Sequence, residues 1–309
     1  MRSFLLAAVL LYATTACTRV VPPGAPAPDG RVTSHVVIVS IDGLRPDAIA
    51  RSPAPTLQRV LREGSGTLAA MTVLPSRTLP AHVSMLTGVR PAVHGLEWNT
   101  DSVRERGVVR VPTVFGVARA AGLRTAAVMS KAKLRHLVVP GTLDYWQAPP
   151  LTWLPYDAER TVRDAGAVMR RLRPNLLFVH IAEPDLAGHA LGWMDWSYRM
   201  NVRLADLALR DLVRAADDAY GRGHWTLLLT ADHGGHGKGH GSADPRDMRI
   251  PWIAWGEGVR AGHEIGATVN VMDTAATALW LLGVSVPTQW EGRPVGAAFD
   301  AGAALESRR

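Results

Sequence analysis

The residues of this sequence that could perform chemistry are grouped around the segment 74–99, LPSRTLPAHVSMLTGVRPAVHGLEWN. Thr78 lies in this segment, directly before Leu79 and Pro80, and we interpret it as a nucleophile. A free hydroxyl is a poor nucleophile, so it needs an adjacent base, a lowered pKa or a metal ion. The G-x-S-x-G signature of serine hydrolases is absent around Thr78, which leaves metal activation as the remaining route. The rest of the chain must then supply metal ligands.

Candidate ligands follow three apolar segments of strand length. Asp42 follows HVVIVSI, Asp185 follows LLFVHIAEP, and Asp232 with His233 follows TLLLTA. A single aspartate at such a position is commonly a turn or helix-capping residue. In a parallel sheet, however, the carboxyl ends of the strands meet at one edge, and ligand sites form there. We therefore expect these acidic residues to form a metal site at that edge.

Histidines accompany the aspartates. His189 lies four residues after Asp185, and on a helix this spacing places both side chains on one face. The glycine-rich segment ADHGGHGKGHG contains three more: His233, His236 and His240. A mixed His/Asp ligand set without cysteine favours zinc, although manganese and iron accept the same ligand types. The alternative, a surface His-rich tract without a function, fits poorly with the apolar strand that directly precedes this segment.

Short apolar segments alternate with helical patterns along the chain. The sequence predicts strands at His35–Ile41, Leu68–Val73, Thr125–Met129, Leu176–Ile181, Thr226–Ala231 and Trp252–Trp255. It predicts helices at Pro55–Arg62, Pro112–Ala121, Ala158–Leu172, Ser197–Ala219 and Met272–Leu282. This alternation is typical of an α/β domain, and we expect a three-layer α/β/α sandwich with a mostly parallel central sheet.

The amino-terminal residues differ from the rest. Residues 1–16 have an early arginine, an apolar run and small residues at the end, which predicts a signal peptide and an exported protein. Cys17, the single cysteine of the chain, follows Thr-Thr-Ala and resembles the lipobox of bacterial lipoproteins. A lipid on Cys17 would anchor the protein to a membrane, whereas an ordinary signal peptide would release it into the periplasm. Residues 17–34 are rich in Pro, Gly and Ala and predict a flexible tether, which leaves 35–300 as one catalytic domain.

The charge balance of 34 Lys+Arg against 27 Asp+Glu gives a formal net charge of +7. The basic residues are scattered singly and are not interleaved with aromatic residues. We interpret them as a solvated surface that attracts small anionic substrates, and we expect no nucleic-acid polymer as a partner.

The order of the motifs resembles the nucleotide pyrophosphatase/phosphodiesterase family of the alkaline phosphatase superfamily. The resemblance runs from about Val36 to about Gly258 and comprises IDG, TLPAH, LTG, PAVHG with Asn99, EPDLAGH, ADHGG and GHG. It implies an alkaline phosphatase-like fold and a hydrolase that cleaves phosphodiester or pyrophosphate bonds, in nucleotides or other small anionic diesters.

The resemblance also implies two zinc sites. One zinc would be held by Asp185, His189 and His240, with His236 as the alternative to His240. The other would be held by Asp42, Asp232 and His233. Thr78 would bind between the two ions and attack phosphorus to give a phospho-threonine intermediate. Asn99 and the backbone amide of Leu79 would bind a non-bridging phosphate oxygen.

Two departures from the family pattern leave the substrate open. Leu79 stands where nucleotide-cleaving members have an aromatic residue, and Ala81 replaces a frequent asparagine, so a lipid-derived diester stays possible beside a nucleotide. We expect diesters to be preferred over monoesters. A monoester dianion needs an additional hydrogen-bond donor or cation, and beside the metals the motif offers Asn99 and the Leu79 amide. Arg77 could supply this group, but its side chain should point away from the site. A phosphomonoesterase is the first alternative. A sulfatase fits less well, because its C/S-x-P-x-R motif lacks a match here. A non-catalytic periplasmic metal-binding lipoprotein is the last alternative.

Overall fold

The structure is a computed structural model that describes residues 30–150 and 155–300. The predicted signal peptide, Cys17 and most of the tether lie outside the described residues. The strands are β1 Val36–Ile41, β2 Ser65–Met71, β3 Thr125–Met129, β4 Tyr145–Gln147, β5 Leu176–Ile181, β6 Thr226–Thr230, β7 Arg249–Gly256 and β8 His263–Glu264.

The helices are α1 Pro46–Arg51, α2 Pro55–Glu63, α3 Thr78–Thr87, α4 Pro91–His94, α5 Val103–Arg106, α6 Val114–Ala120, α7 Ala158–Leu172, α8 Asp185–Leu191, α9 Trp196–Tyr220, α10 Pro245–Met248 and α11 Asp273–Leu281. Two short 3-10 segments span Ala132–Leu137 and Gly296–Ala298. No helix in the described ranges is both long and apolar enough to cross a lipid bilayer.

The strands form one sheet of eight in the order β4-β3-β5-β1-β6-β7-β2-β8. Strand β1 pairs in parallel with β5 and β6, and β3 pairs in parallel with β4 and β5. Strand β7 is antiparallel to both of its neighbours. The mostly parallel sheet predicted from the sequence is therefore confirmed.

Helices cover both faces of the sheet. Every residue of β1, β5 and β6 is buried, as expected for continuous apolar strands with a layer on each side. Helices α2, α7 and α9 pack together on one face, and α3, α6 and α11 pack together on the other. This confirms the three-layer α/β/α sandwich.

Helix α3 carries Thr78 at its first position. All ten of its residues are buried, so it lacks the solvent-exposed face of an amphipathic surface helix. The helix packs against α4, α6 and α11, and this places its first turn at the carboxyl edge of the sheet, beside the ends of the central strands.

Candidate active site

The three central strands β5, β1 and β6 are neighbours in the sheet and deliver Asp185, Asp42 and Asp232 to its carboxyl edge. The backbone of Gly43 has a φ of 70°, a left-handed conformation that glycine adopts without strain. This turn lets the Gly43 amide donate to Asp232 Oδ1 at 3.0 Å. The Asp185 amide donates to the Asp42 carbonyl at 3.0 Å. This hydrogen bond connects the segments that follow β5 and β1.

Lys131 joins two of these aspartates. Its Nζ lies 2.8 Å from Asp42 Oδ2 and 2.5 Å from Asp185 Oδ2. The sequence reasoning missed this residue. The signal that could have identified it is its place two residues after the end of β3, because β3 is the neighbour of β5 and ends at the same edge. Lys131 uses one oxygen of each carboxylate and leaves each Oδ1 without a hydrogen-bond partner.

His189 and His240 approach the free oxygen of Asp185. Their Nε2 atoms lie 3.4 Å and 3.6 Å from Asp185 Oδ1 and 3.1 Å from each other. Each Nδ1 instead lies within hydrogen-bond distance of a backbone carbonyl, 3.0 Å from Lys238 O for His189 and 2.8 Å from Ser76 O for His240. A carbonyl can only accept, so each Nδ1 carries the proton and each Nε2 of a neutral imidazole presents a lone pair. This is the arrangement in which protein histidines bind metals.

His233 follows the same pattern. Its Nδ1 donates to Gly234 O at 2.8 Å, and its Nε2 lies 3.2 Å from Asp232 Oδ2 and 3.5 Å from Asp42 Oδ1. Its ring stacks on the ring of His240 with centroids 3.6 Å apart, so the two groups of ligands adjoin each other.

The donor atoms fit bound metal ions. Within residues 30–150 and 155–300, four buried polar atoms of this cluster lack a hydrogen-bond partner: Asp42 Oδ1, Asp185 Oδ1, Asp232 Oδ2 and His233 Nε2. Buried polar groups without partners are rare in folded proteins, and each is costly. Two sets of ligand atoms lie within 4.8 Å of one another, namely Asp185 with His189 and His240, and Asp42 with Asp185 and His233. Asp232 belongs to neither set, although its Oδ2 lies 3.2 Å from His233 Nε2.

The electrostatics of the cluster also favour cation binding. Burial would raise the pKa of Asp42, but the Lys131 ammonium and the His180 hydrogen bond lower it well below its usual range. Burial and the negative charge of Asp42 raise the pKa of Asp232 well above its usual value. Burial lowers the pKa of His233, and it lowers that of His240 to about 4. His233 and His240 are therefore neutral, as histidines that bind a metal must be, and a cation bound nearby would favour the ionised form of Asp232.

Thr78 is 1% exposed and lines a cleft of about 520 Å³ above this cluster. The cleft is lined by Thr78, Asn99, Thr100, Asp101, Lys131, Ala132, Lys133, Pro155, Asp185, Leu186, His189 and His240. Arg77 is exposed and lies along Gly241, where an added Cβ would come within 2.9 Å of its Nε, and it is not part of the cleft lining.

Asn99 lies beside the first turn of α3, and its contact there corrects one sequence-based expectation. The amide of Leu79 donates to Asn99 Oδ1 at 2.9 Å. This amide is therefore occupied in orienting the asparagine and is not a free donor for a phosphate oxygen. The side-chain NH2 group of Asn99 is the donor that this contact leaves available.

Three further histidines near the site have hydrogen-bond partners. His236 Nδ1 pairs with Asp247 Oδ1 at 2.7 Å, away from the group around Asp185. His82 hydrogen-bonds to the Thr78 carbonyl at 2.7 Å. His180, which the sequence reasoning missed, donates from Nε2 to Asp42 Oδ2 at 2.8 Å, while the Ser130 amide lies 3.3 Å from its Nδ1.

Known proteins resemble this chain in sequence and in fold. The sequence profile of the type I phosphodiesterase / nucleotide pyrophosphatase family matches residues 36–237. Among curated proteins, the chain is 27% identical to GPI ethanolamine phosphate transferase 1 of Emericella nidulans over 327 residues, 88% of this chain and 34% of that protein. It is 21% identical to the enzyme of the same name from Homo sapiens, over 75% of this chain and 27% of that protein. The chain thus spans about a third or less of the length of these relatives.

Solved structures share the fold. Murine ectonucleotide pyrophosphatase / phosphodiesterase 5, an inactive variant in complex with AMP, superposes with a TM-score of 0.69 at 16% identity, covering 84% of this chain and 97% of that chain. A 2-O GAG sulfatase superposes with a TM-score of 0.68 at 16% identity, covering 85% and 73%. These likenesses confirm the alkaline phosphatase-like fold. Because the family profile covers well over half of the sequence, the chain belongs to the type I phosphodiesterase / nucleotide pyrophosphatase family.

Proposed function

We propose that this protein is a two-metal enzyme that cleaves phosphodiester or pyrophosphate bonds through a phospho-threonine intermediate on Thr78. The observation that carries the proposal is the convergence of imidazole lone pairs and unpartnered carboxylate oxygens beside a buried threonine at the start of α3. A packing role alone does not account for so many unsatisfied polar atoms in one place.

In this proposal the candidate ligands divide into two groups, as the family pattern implies. Asp185, His189 and His240 form one group, in which His240 takes precedence over His236 because of its distance to Asp185. Asp42, Asp232 and His233 form the other. The nitrogen and oxygen donors suit zinc. Bound at these positions, two zinc ions would supply Lewis acidity and neutralise the charge of a phosphoryl group in displacement.

The residues of the chain have distinct tasks in this proposal. Thr78 reacts as the alkoxide, its proton having passed to solvent, and its Oγ forms a bond to phosphorus as the bond to the leaving oxygen breaks. Asn99, held by the Leu79 amide, donates its NH2 group to a non-bridging oxygen. In the second step water attacks phosphorus, the Thr78–phosphorus bond breaks and the threonine is regenerated.

Lys131 and Lys133 change the argument for diester preference. That argument assumed that Asn99 and the Leu79 amide are the donors to phosphate oxygens besides the metals. The structure shows that two lysines also line the cleft. Lys131 is already paired with Asp42 and Asp185, but Lys133 is a further cation that would compensate the extra charge of a monoester. A phosphomonoesterase is therefore the alternative.

A panel of chromogenic esters tests the proposal. Bis(p-nitrophenyl) phosphate, p-nitrophenyl phosphate and p-nitrophenyl sulfate would be assayed with elemental analysis of the same sample. We expect kcat/KM for the diester to exceed that for the monoester and the sulfate. Turnover of the monoester alone would assign a phosphomonoesterase, and equal activity in metal-free protein would contradict the two-metal proposal.

Group transfer is a second candidate, because the curated relatives are transferases by name and one aligns over 88% of this chain. A phospho-threonine intermediate can react with an alcohol as well as with water. The test is to add glycerol or ethanolamine to the diester assay and to measure the new phosphodiester by phosphorus NMR. If only the hydrolysis products form at a high concentration of the added alcohol, the enzyme is a hydrolase and not a transferase.

A further inference from the structure

Asn99 lies in an irregular segment, residues 95–102, between α4 and the four-residue helix α5. A helix as short as α5 is unstable in water by itself, and an irregular segment lacks the repeating hydrogen bonds of a helix or strand. The Leu79 amide holds the side chain of Asn99, but it does not fix the backbone that carries this side chain. Contacts from another part of the fold are needed to fix that backbone.

The buried side chain of His136 makes such contacts at both ends of α5. His136 lies in the 3-10 segment Ala132–Leu137, which follows β3. Its Nδ1 donates to the carbonyl of Gly107, the residue after α5, at 2.6 Å. The amide of Ser102, the residue before α5, donates to its Nε2 at 3.2 Å. One imidazole therefore bridges the two ends of this short helix.

The two contacts require one form of the imidazole. A carbonyl can only accept and an amide can only donate, so Nδ1 carries the proton and Nε2 presents a lone pair to Ser102. Burial lowers the pKa of His136, which favours this neutral ring.

Two further contacts join the 3-10 segment to the segment of Asn99. The ring of Trp98 meets the ring of His136 edge to face, with centroids 5.7 Å apart. Arg135, the neighbour of His136, pairs with Asp101. Trp98 directly precedes Asn99 and Asp101 follows it by two residues, so the contacts lie on both sides of Asn99 along the chain.

We infer that His136 is a positioning residue of the active site: it fixes the segment that carries Asn99, so that the Asn99 NH2 group is held beside Thr78, where a non-bridging phosphate oxygen binds. His136 is not part of the cleft lining, so it acts through Asn99 and does not touch the substrate. This inference rests on the proposed function, in which Asn99 donates to the phosphoryl group.

Kinetics of the purified holoenzyme with bis(p-nitrophenyl) phosphate test the inference. In His136→Leu we expect kcat to fall at least about tenfold while KM changes less than about threefold, because a displaced donor stabilises the transition state less. His136→Gln keeps a donor and an acceptor and should return kcat to within about threefold of wild type. Unchanged kcat in His136→Leu would overturn the inference.

A double-mutant cycle shows whether His136 acts through Asn99. Asn99→Ala alone should lower kcat by about 100-fold, the usual effect of removing one donor to a developing negative charge. Adding His136→Leu to Asn99→Ala should lower kcat by less than about twofold more, because the donor that His136 positions is already absent. Equal losses in both backgrounds would show that His136 acts by another route and would contradict the inference.

His35→Leu is the matched control. His35 is also a partly buried histidine whose Nδ1 donates to a backbone carbonyl, that of Pro174 at 2.8 Å, but it directly precedes β1, at the edge of the sheet opposite the cleft. Its kcat should stay within about twofold of wild type. A loss equal to that in His136→Leu would assign the effect to general destabilisation and not to positioning. Elemental analysis should show the zinc content of wild type in every variant, because the proposed ligands are unchanged.

Hydrogen exchange measures the positioning independently of activity. In His136→Leu the amides of residues 98–109 should exchange at least about tenfold faster than in wild type, whereas those of α7 should exchange as before. If the wild type hydrolyses no ester but this change occurs, His136 fixes the segment and the proposed activity fails. If the wild type hydrolyses the diester and His136→Leu changes neither the exchange nor kcat, the activity stands and the inference is wrong.

Discussion

The Nε2 atoms of His189 and His240 face each other at 3.1 Å, and neither nitrogen carries a hydrogen when its imidazole is neutral. Two lone pairs at this distance repel each other. The arrangement is stable if a cation lies between them, and Asp185 Oδ1 completes a set of three ligands around the same point.

Removing one of these nitrogens should therefore remove a metal ion. We expect His240→Ala to lower bound zinc from about two to about one per chain, because one ligand of one group is lost while the other group is intact. The measurement is elemental analysis of protein purified with zinc present. His236→Asn is the matched control, since His236 pairs with Asp247 and not with Asp185. If this control loses zinc and His240→Ala does not, the ligand assignment is wrong.

The strongest sequence predictions concerned elements whose patterns are local. Helix α7 has the predicted bounds, because its apolar residues repeat with helical spacing. The structure shows in addition that the Asp157 side chain accepts from the Arg160 amide at its start. Strands β3 and β5 were also predicted with their observed bounds, from continuous apolar runs of strand length. Strands β4 and β8 have three and two residues, too few for any pattern to appear.

The features that sequence reasoning missed depend on long-range packing. Helix α3 is buried on every side, so it lacks the solvent-exposed face of an amphipathic surface helix. Lys131 enters the site because β3 is the neighbour of β5, and His180 enters it because β5 is the neighbour of β1. No local sequence motif shows which strands are neighbours. The aspartates were identifiable because each lies just beyond a strand that itself was predicted from its pattern.

Attachment to a membrane is predicted from the sequence alone, because Cys17 lies outside the described residues. We expect the wild-type protein, expressed in a bacterium, to sediment with membranes, and Cys17→Ser to remain in the periplasmic fraction. Fractionation followed by immunoblotting measures this, with mass spectrometry of the amino terminus to detect a lipid. If both proteins distribute equally between the membrane and periplasmic fractions, Cys17 is not lipidated and the leader is an ordinary signal peptide.

His94 should make stability depend on pH. It is buried, its Nδ1 accepts from the Leu96 amide, and burial lowers its pKa from an ordinary 6.5 to about 4. Between these values the unfolded chain binds a proton that the folded chain does not, so stability falls as pH falls from 6.5 towards 4. At pH 5 we expect a loss of about 1 to 2 kcal/mol relative to pH 7.5 from this residue.

The comparison is urea denaturation of wild type and of His94→Asn at both pH values. Asparagine keeps an acceptor for the Leu96 amide and does not titrate in this range. The variant should lose less stability on acidification than the wild type. Parallel losses in the two proteins would contradict the role of His94.

His180 should hold Asp42 in its ligating position. Its Nε2 donates to Asp42 Oδ2, and its own orientation is set by the Ser130 amide. We expect His180→Phe to weaken zinc binding by about 10- to 100-fold, the usual effect of removing such a supporting hydrogen bond. Competition with a chromogenic chelator measures the affinity directly. His180→Gln retains a hydrogen-bond donor and should recover part of the lost zinc affinity. The same zinc affinity in the wild type and both variants would show that His180 has a packing role alone.

Thr78 gives the most direct test of the chemistry. If its hydroxyl forms the covalent intermediate, Thr78→Ala should lower kcat for the diester by about 10³-fold or more, whereas Thr78→Ser should keep measurable turnover because it retains a hydroxyl at the same position. The aspartate and histidine ligands are unchanged in both variants, so both should still bind zinc, and elemental analysis checks this. Rapid quenching of the wild type with acid should trap phosphate on the peptide that contains Thr78. Wild-type turnover in Thr78→Ala would assign the nucleophile to water and leave Thr78 a structural role at the start of α3.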